Sequence, residues 1–216
     1  MSGCRCSAAI MLALLTLSAA GLARAQTPHN RLDELRTGRA VAGPAGWLNW
    51  CMADLARCGR AGRTETLPAT PALLALLERV QREVNGAIAP RPEPDDRDLW
   101  REDAVAGDCE DYALAKRARL YAAGLPVGAM RLATAALPRG ELHAVLTVET
   151  DRGTLVLDNL APGVVPMRSL DYAWLRVEGT QGSLAWQQLA GSTLAWSGPL
   201  VAADRSTSLE ATPPAQ

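Results

Sequence analysis

Few residues in this chain could do covalent chemistry, and their spacing narrows what that chemistry would be. The stretch Gly107-Asp108-Cys109-Glu110-Asp111-Tyr112-Ala113 sets one cysteine among three carboxylates. Good helix formers follow as far as Ala123, and Gly124 with Pro126 supply a stop. Cys109 is therefore expected in the first turn of a helix, with Asp108 as its N-cap. The unpaired amides and the dipole at that end favour an anion, which would stabilise a thiolate and make it a better nucleophile. Acidic residues also gather at helix starts for dipole reasons alone, and a buried cysteine is often inert packing. The rest of the chain has to decide between the two.

A thiol that attacks an acyl carbon needs a base, and the base needs an orienting partner. The chain has two histidines, His29 and His143. His29 lies in a stretch without periodicity, whereas His143 opens a run of strand formers, His143 to Glu149. A second run, Thr154 to Asp158, follows the turn residues Thr150-Asp151-Arg152-Gly153, so the two read as a hairpin. If those turn residues form the loop, Glu149 faces Thr154 and Asp158 falls opposite Val145. His143 is then a diagonal neighbour of Asp158 on one face; a slip of one residue would part them. Cys109, His143 and Asp158 are the candidate nucleophile, base and orienting carboxylate.

The flanking elements must position these groups. Thr70 and Pro71 start a helix whose stripe is Leu73, Leu74, Leu77, Val80 and Val84. A shorter helix opens at Pro44-Ala45-Gly46-Trp47, and the Pro/Asp-rich stretch from Pro90 to Asp98 is a loop. Strands are expected from Ala129 to Ala135 and again beyond residue 166, where Trp174, Trp186 and Trp196 read as core. The fold class is thus α+β, helices packed on an antiparallel sheet with the nucleophile at a helix N-terminus. Net charge of −1 argues against a nucleic-acid surface.

Residues 1–25 read as a signal peptide, with an apolar run from Ala8 to Leu17 and Ala23-Arg24-Ala25 as the cleavage site. The expected product is an exported protein, periplasmic or secreted, with no membrane insertion after cleavage. It would carry a flexible lead-in over 26–43, one catalytic domain over 44–201 and a disordered tail over 202–216. Beyond the leader, Cys51, Cys58 and Cys109 remain. A Cys51–Cys58 disulfide requires the helix from Trp47 to end before Cys58, because seven helical residues rise about 10.5 Å; the alternative is two small buried hydrophobes. With that bridge made, Cys109 is the free thiol.

Taken together, Pro44-Ala-Gly-Trp47, Cys51 with Cys58, Gly107-Asp-Cys-Glu-Asp-Tyr-Ala113, His143-Ala-Val-Leu-Thr-Val148 and Leu157-Asp-Asn-Leu160 resemble the bacterial transglutaminase-like cysteine proteinase family, which includes the LapG-type periplasmic proteases. The resemblance implies a papain-like, transglutaminase-like fold and a cysteine peptidase working through Cys109, His143 and Asp158 and an acyl-enzyme. It also implies a protein substrate such as a cell-surface protein, an inner-membrane regulatory partner, and Ca²⁺ bound at the Asp-Cys-Glu-Asp block. Asp108, Glu110 and Asp111 are oxygen donors of the type Ca²⁺ takes, although three carboxylates are fewer than its usual ~6–8 oxygens; capping without metal would also account for them. Resolution of the acyl-enzyme by an amine would make the site a transglutaminase, and a non-catalytic peptide-binding module is the reading from another class.

Overall fold

Residues with strand propensity after Pro126 become the centre of a seven-stranded sheet in the computed structural model, which describes residues 37–55, 64–94, 98–179 and 184–189. In chain order the strands are β1 (Thr37–Ala42), β2 (Ala89–Pro90), β3 (Ala106–Gly107), β4 (Met130–Ala136), β5 (Leu142–Thr150), β6 (Gly153–Leu157), β7 (Val165–Pro166), β8 (Ala173–Glu178) and β9 (Ala185–Leu189). Among the described residues the α-helices are α1 (Ala45–Ala53), α2 (Pro71–Ala87) and α3 (Cys109–Ala122). The large sheet runs β1-β9-β8-β4-β5-β6-β7, every pairing antiparallel. β2 and β3 form a separate parallel pair just ahead of α3.

Side-chain alternation along the central strands divides the core. Leu132, Ala144, Leu146 and Val148 pack with Leu77, Val80 and Val84 of α2 and with Tyr112 and Leu114 of α3. Ala133, Val145, Val156 and Val177 point the other way, into a second cluster with Met167 and Leu189. Both faces are covered, so β4 and β5 are buried along their whole length. The α2 stripe is shifted from the expected one: Leu74 is exposed, and Gln81 is fully buried with Leu77, Val80 and Val84. Thr70 caps α2 as anticipated, its Oγ1 accepting from the Leu73 amide at 3.2 Å.

The expected hairpin register is present. Glu149 pairs with Thr154 and Leu146 with Leu157, which sets Asp158 across from Val145. Thr150 also pairs with Gly153, so the turn is two residues tighter than the four-residue loop anticipated. One stretch departs from its reading: residues 37–42, taken with the flexible lead-in, form edge strand β1 against β9. Its exposed Thr-Gly-Arg-Ala face has no apolar alternation; β1 is held by the ladder and by Arg39 Nε donating to Gln188 Oε1. Near the start of α1, a Cβ at Gly46 would strike the Asp98 carbonyl and the Trp100 ring. That close approach lets Asp98 accept from both the Gly46 amide and Trp100 Nε1, tying α1 to the segment that leads into the site.

Cys58, Trp196, the leader over 1–25, the lead-in as far as residue 36 and the tail lie outside the described residues. α1 ends at Ala53, short of Cys58. Among the described residues no helix is long and apolar enough to cross a membrane.

Candidate active site

Cys109 is the first residue of α3, with Asp108 at the N-cap position. The Asp108 carboxylate does not cap the helix as expected; its Oδ2 accepts from the Glu93 amide at 3.3 Å. The Cys109 side chain is buried, and its Sγ meets the sheet where strand pairing stops. The β5–β6 ladder ends at Leu146 and Leu157, so Ala144 lies beyond the last pair. The Ala144 amide donates to Sγ at 3.3 Å, and the thiol in turn donates to Glu110 Oε2 at 3.2 Å. The thiol is thus set against the backbone next to His143.

His143 is fully buried, and its Nε2 lies 2.7 Å from Asp158 Oδ1. Opposite an ionised carboxylate Nε2 carries the ring proton, which makes Nδ1 the acceptor. Nδ1 is buried and has no partner among the described residues. Asp158 collects further donors: the Leu160 amide on Oδ1 at 2.8 Å and the Tyr172 hydroxyl on Oδ2 at 2.7 Å. Burial pushes the Asp158 carboxyl up, but the His143 charge and the hydrogen bonds from His143, Leu160 and Tyr172 outweigh it and hold the group at about 2.

That depression has a measurable sign. From its ordinary 3.8 down to about 2, the unfolded chain takes up the Asp158 proton before the folded one does. The stabilisation is complete above about pH 4 and lost as pH falls through about 2, an amount of about 2 kcal/mol. Glu110 and Asp111, whose carboxyls are raised, run the opposite way. The expected result is therefore a difference: the gap in urea-unfolding free energy between wild type and Asp158→Asn narrows by about 2 kcal/mol from about pH 5 to about pH 2. A constant gap would contradict it.

The loop bearing Asp158 is clamped by α2. Gln81 Nε2 donates to the Asp158 carbonyl at 2.6 Å and to Ala161 O at 3.0 Å, and Asn85 Nδ2 lies 3.3 Å from both oxygens. Glu78 accepts from the Val164 amide at 3.0 Å. These polar positions lie on the α2 face turned to this loop, and Gln81 could have been found as a polar residue inside an apolar period. Tyr172 had no such signal.

The carboxylates sort differently from their order in the sequence. Glu93, Asp108 and Glu110 each bring an oxygen to within 4.8 Å of the others. Asp111 is fully buried away from that group: Oδ1 accepts from the Arg101 amide at 2.8 Å and Oδ2 from Arg101 Nη2 at 3.0 Å. Arg101 also reaches Glu93 at 3.0 Å, so one guanidinium ties the loop before β3 to α3. Gly107 is required here, because a Cβ would meet the Asp111 carboxylate. Burial raises Asp111 to about 6 against the pull of Arg101. Burial, then its hydrogen bond to Asp108 and the charge of Asp108, push Glu110 well up. Burial and then the charges of Glu110 and Asp108 push the Cys109 thiol well above its usual range, opposing the helix-dipole effect.

A donor set of three carboxylates suits a hard cation rather than zinc, which takes His and Cys nitrogen and sulfur. Asp108 Oδ1 is buried with no partner among the described residues, as an oxygen placed to ligate a cation would be. The residues fit such an ion.

A family model described as bacterial transglutaminase-like cysteine proteinase matches residues 37–193. Among solved structures, calcium-bound Legionella pneumophila LapG is 25% identical with a TM-score of 0.47, covering 60% of this chain and 77% of its own. Legionella pneumophila LapG in a second structure is 26% identical, also at a TM-score of 0.47, covering 58% and 73%. The EGTA-treated form is 24% identical at 0.47, covering 64% and 75%. No curated protein matches the chain.

Proposed function

Since this chain belongs to the bacterial transglutaminase-like cysteine proteinase family and is a cysteine peptidase acting on protein, we propose that its chemistry is carried by Cys109, His143 and Asp158. The observation that supports this most is the Ala144 amide bond to Sγ. It brings the thiol to the backbone of the residue that follows His143, whose Nε2 is taken by Asp158 and whose Nδ1 has no partner among the described residues. In the proposed course Nδ1 takes the Cys109 proton and Sγ attacks the scissile carbonyl. Nδ1 then returns the proton to the leaving amine, giving an acyl-enzyme and a free amino terminus. Water, deprotonated by the same nitrogen, resolves the thioester and restores the thiol. Asp158 stays ionised throughout and fixes the ring. The backbone amide of Cys109, in the first turn of α3, has no intrahelical acceptor and supplies one donor to the oxyanion.

Glu93, Asp108 and Glu110 would hold the Ca²⁺, with backbone or water oxygens completing its shell. Bound there, the cation supplies positive charge that cancels the carboxylates crowding Sγ. Asp111 serves as the anchor of Arg101 instead. The finer reading is an exported enzyme, freed of residues 1–25, that acts on a cell-surface protein under an inner-membrane regulatory partner. It rests on the apolar leader and the family resemblance.

The test is the rate of Cys109 alkylation by iodoacetamide against pH, with Ca²⁺ and with a chelator. Rapid labelling with an apparent pKa well below ~8.5 in Ca²⁺, lost in His143→Ala and slowed by chelation, is expected. A thiol that titrates near ~8.5 under both conditions and ignores His143 would sink the triad and favour a peptide-binding module.

A further inference from the structure

Tyr172 is the one protein group from outside the hairpin and its loop that touches both His143 and the Asp158 carboxylate among the described contacts. Its hydroxyl donates to Asp158 Oδ2 at 2.7 Å. Its ring stands edge-on to the His143 imidazole, centroids 5.9 Å apart and planes at 89°. The two carboxylate oxygens are unequally held. Oδ1 receives both His143 Nε2 and the Leu160 amide, whereas among the described residues Oδ2 receives Tyr172 alone. Without that hydroxyl the carboxylate could turn about its Cβ–Cγ bond, and Oδ2, stripped of a donor in a buried site, would compete for the imidazole N–H.

Tyr172 precedes β8, and the Trp174 ring within that strand lies 5.7 Å from the Tyr172 ring, tilted at 49°. Trp174 lies across from Ala135, which lies across from His143, so the row that crosses the sheet to the histidine starts two residues after the tyrosine. The start of β8 thus brings the phenol to the end of the sheet where the base lies.

We propose that Tyr172 is a positioning residue of the peptidase: it locks the Asp158 carboxylate in the plane that holds His143 with Nδ1 turned to the thiol. This rests on the triad reading above. The hydroxyl remains a donor at any working pH, because burial and the Asp158 charge push the phenol up from its usual range.

Tyr172→Phe keeps the ring against His143 and removes only the donor. It is expected to slow the His143-dependent alkylation of Cys109, and the turnover of a peptide substrate through kcat rather than KM, by about 10-fold, the scale of one hydrogen bond to a charged group. A residue that merely supports the fold would cost the same in any background. A residue acting through Asp158 costs nothing further once Asp158→Ala has removed the acceptor. Loss in the Asp158 background and equal loss in the Asp158→Ala background would overturn the proposal, as would a Tyr172→Phe enzyme of wild-type rate. Should the variant melt early, the downfield proton resonance of the His143 N–H bound to Asp158 gives an independent reading in folded protein at low temperature. It is expected to move in Tyr172→Phe, and an unmoved resonance overturns the proposal. If wild-type labelling is itself independent of His143, the triad reading fails instead, and the two failures are told apart.

Discussion

His143→Gln is expected to lower kcat/KM by about 10³-fold or more while leaving the melting temperature within a few degrees of wild type. A glutamine amide can still donate to Asp158 Oδ1, the contact His143 Nε2 makes at 2.7 Å, so the buried carboxylate keeps a partner. It cannot take a proton from Cys109 or pass one to a leaving amine. His143→Ala should be just as inactive but also less stable by about 3 kcal/mol or more, because a fully buried Asp158 loses a hydrogen-bond donor and a cavity opens. Assaying both variants by peptide cleavage and thermal melting separates chemistry from folding. If His143→Gln retained a tenth of wild-type kcat/KM, the base would have to be sought elsewhere, and no second histidine is available among the described residues.

The hairpin shows why the pairing of His143 with Asp158 was legible in the sequence. Side-chain direction in a strand has a period of two, so a count of loop residues fixes which residues share a face. The tighter turn left that count intact, because Thr150 and Gly153 extend the ladder without shifting it. The N-terminal position of Cys109 was legible for a similar reason, since helix start and stop signals are local. What escaped was contributed by segments without periodicity. Glu93 lies in a proline-rich loop, and only the β2–β3 pairing, with Arg91 N bonded to Gly107 O, brings that loop beside α3. Asp111 looked equivalent to Asp108 and Glu110 in sequence. One helical step turns it towards Arg101, whose own place depends on the same loop. Tyr172 reaches Asp158 through the order β8-β4-β5-β6, a long-range arrangement that no local pattern encodes. Edge strand β1 escaped because an exposed strand needs no apolar alternation.

The acidic cluster yields the other large effect, and it can be read without any assay of catalysis. Three carboxylate oxygens within 4.8 Å of one another, two of them on buried residues, repel in the folded state, whereas the unfolded chain separates Glu93 from the other two and exposes all three to water. A cation that binds only the folded form stabilises it by about 2.7 kcal/mol at a free concentration 100 times its Kd. For a chain of this length that corresponds to a rise in melting temperature of about 5–10 °C. Chelation should reverse the rise, and Mg²⁺ should reproduce it poorly, because Mg²⁺ gives up its water reluctantly to a set of carboxylates on separate segments. Glu93→Gln and Asp111→Asn then discriminate between the two sortings of the carboxylates. Glu93→Gln should erase the Ca²⁺-dependent shift. Asp111→Asn should lower the melting temperature with and without Ca²⁺ by similar amounts, because its loss weakens the Arg101 anchor and leaves the ligand oxygens in place. The reverse pattern, with the Ca²⁺ response surviving Glu93→Gln and vanishing in Asp111→Asn, would return the site to the three carboxylates that flank Cys109 in sequence.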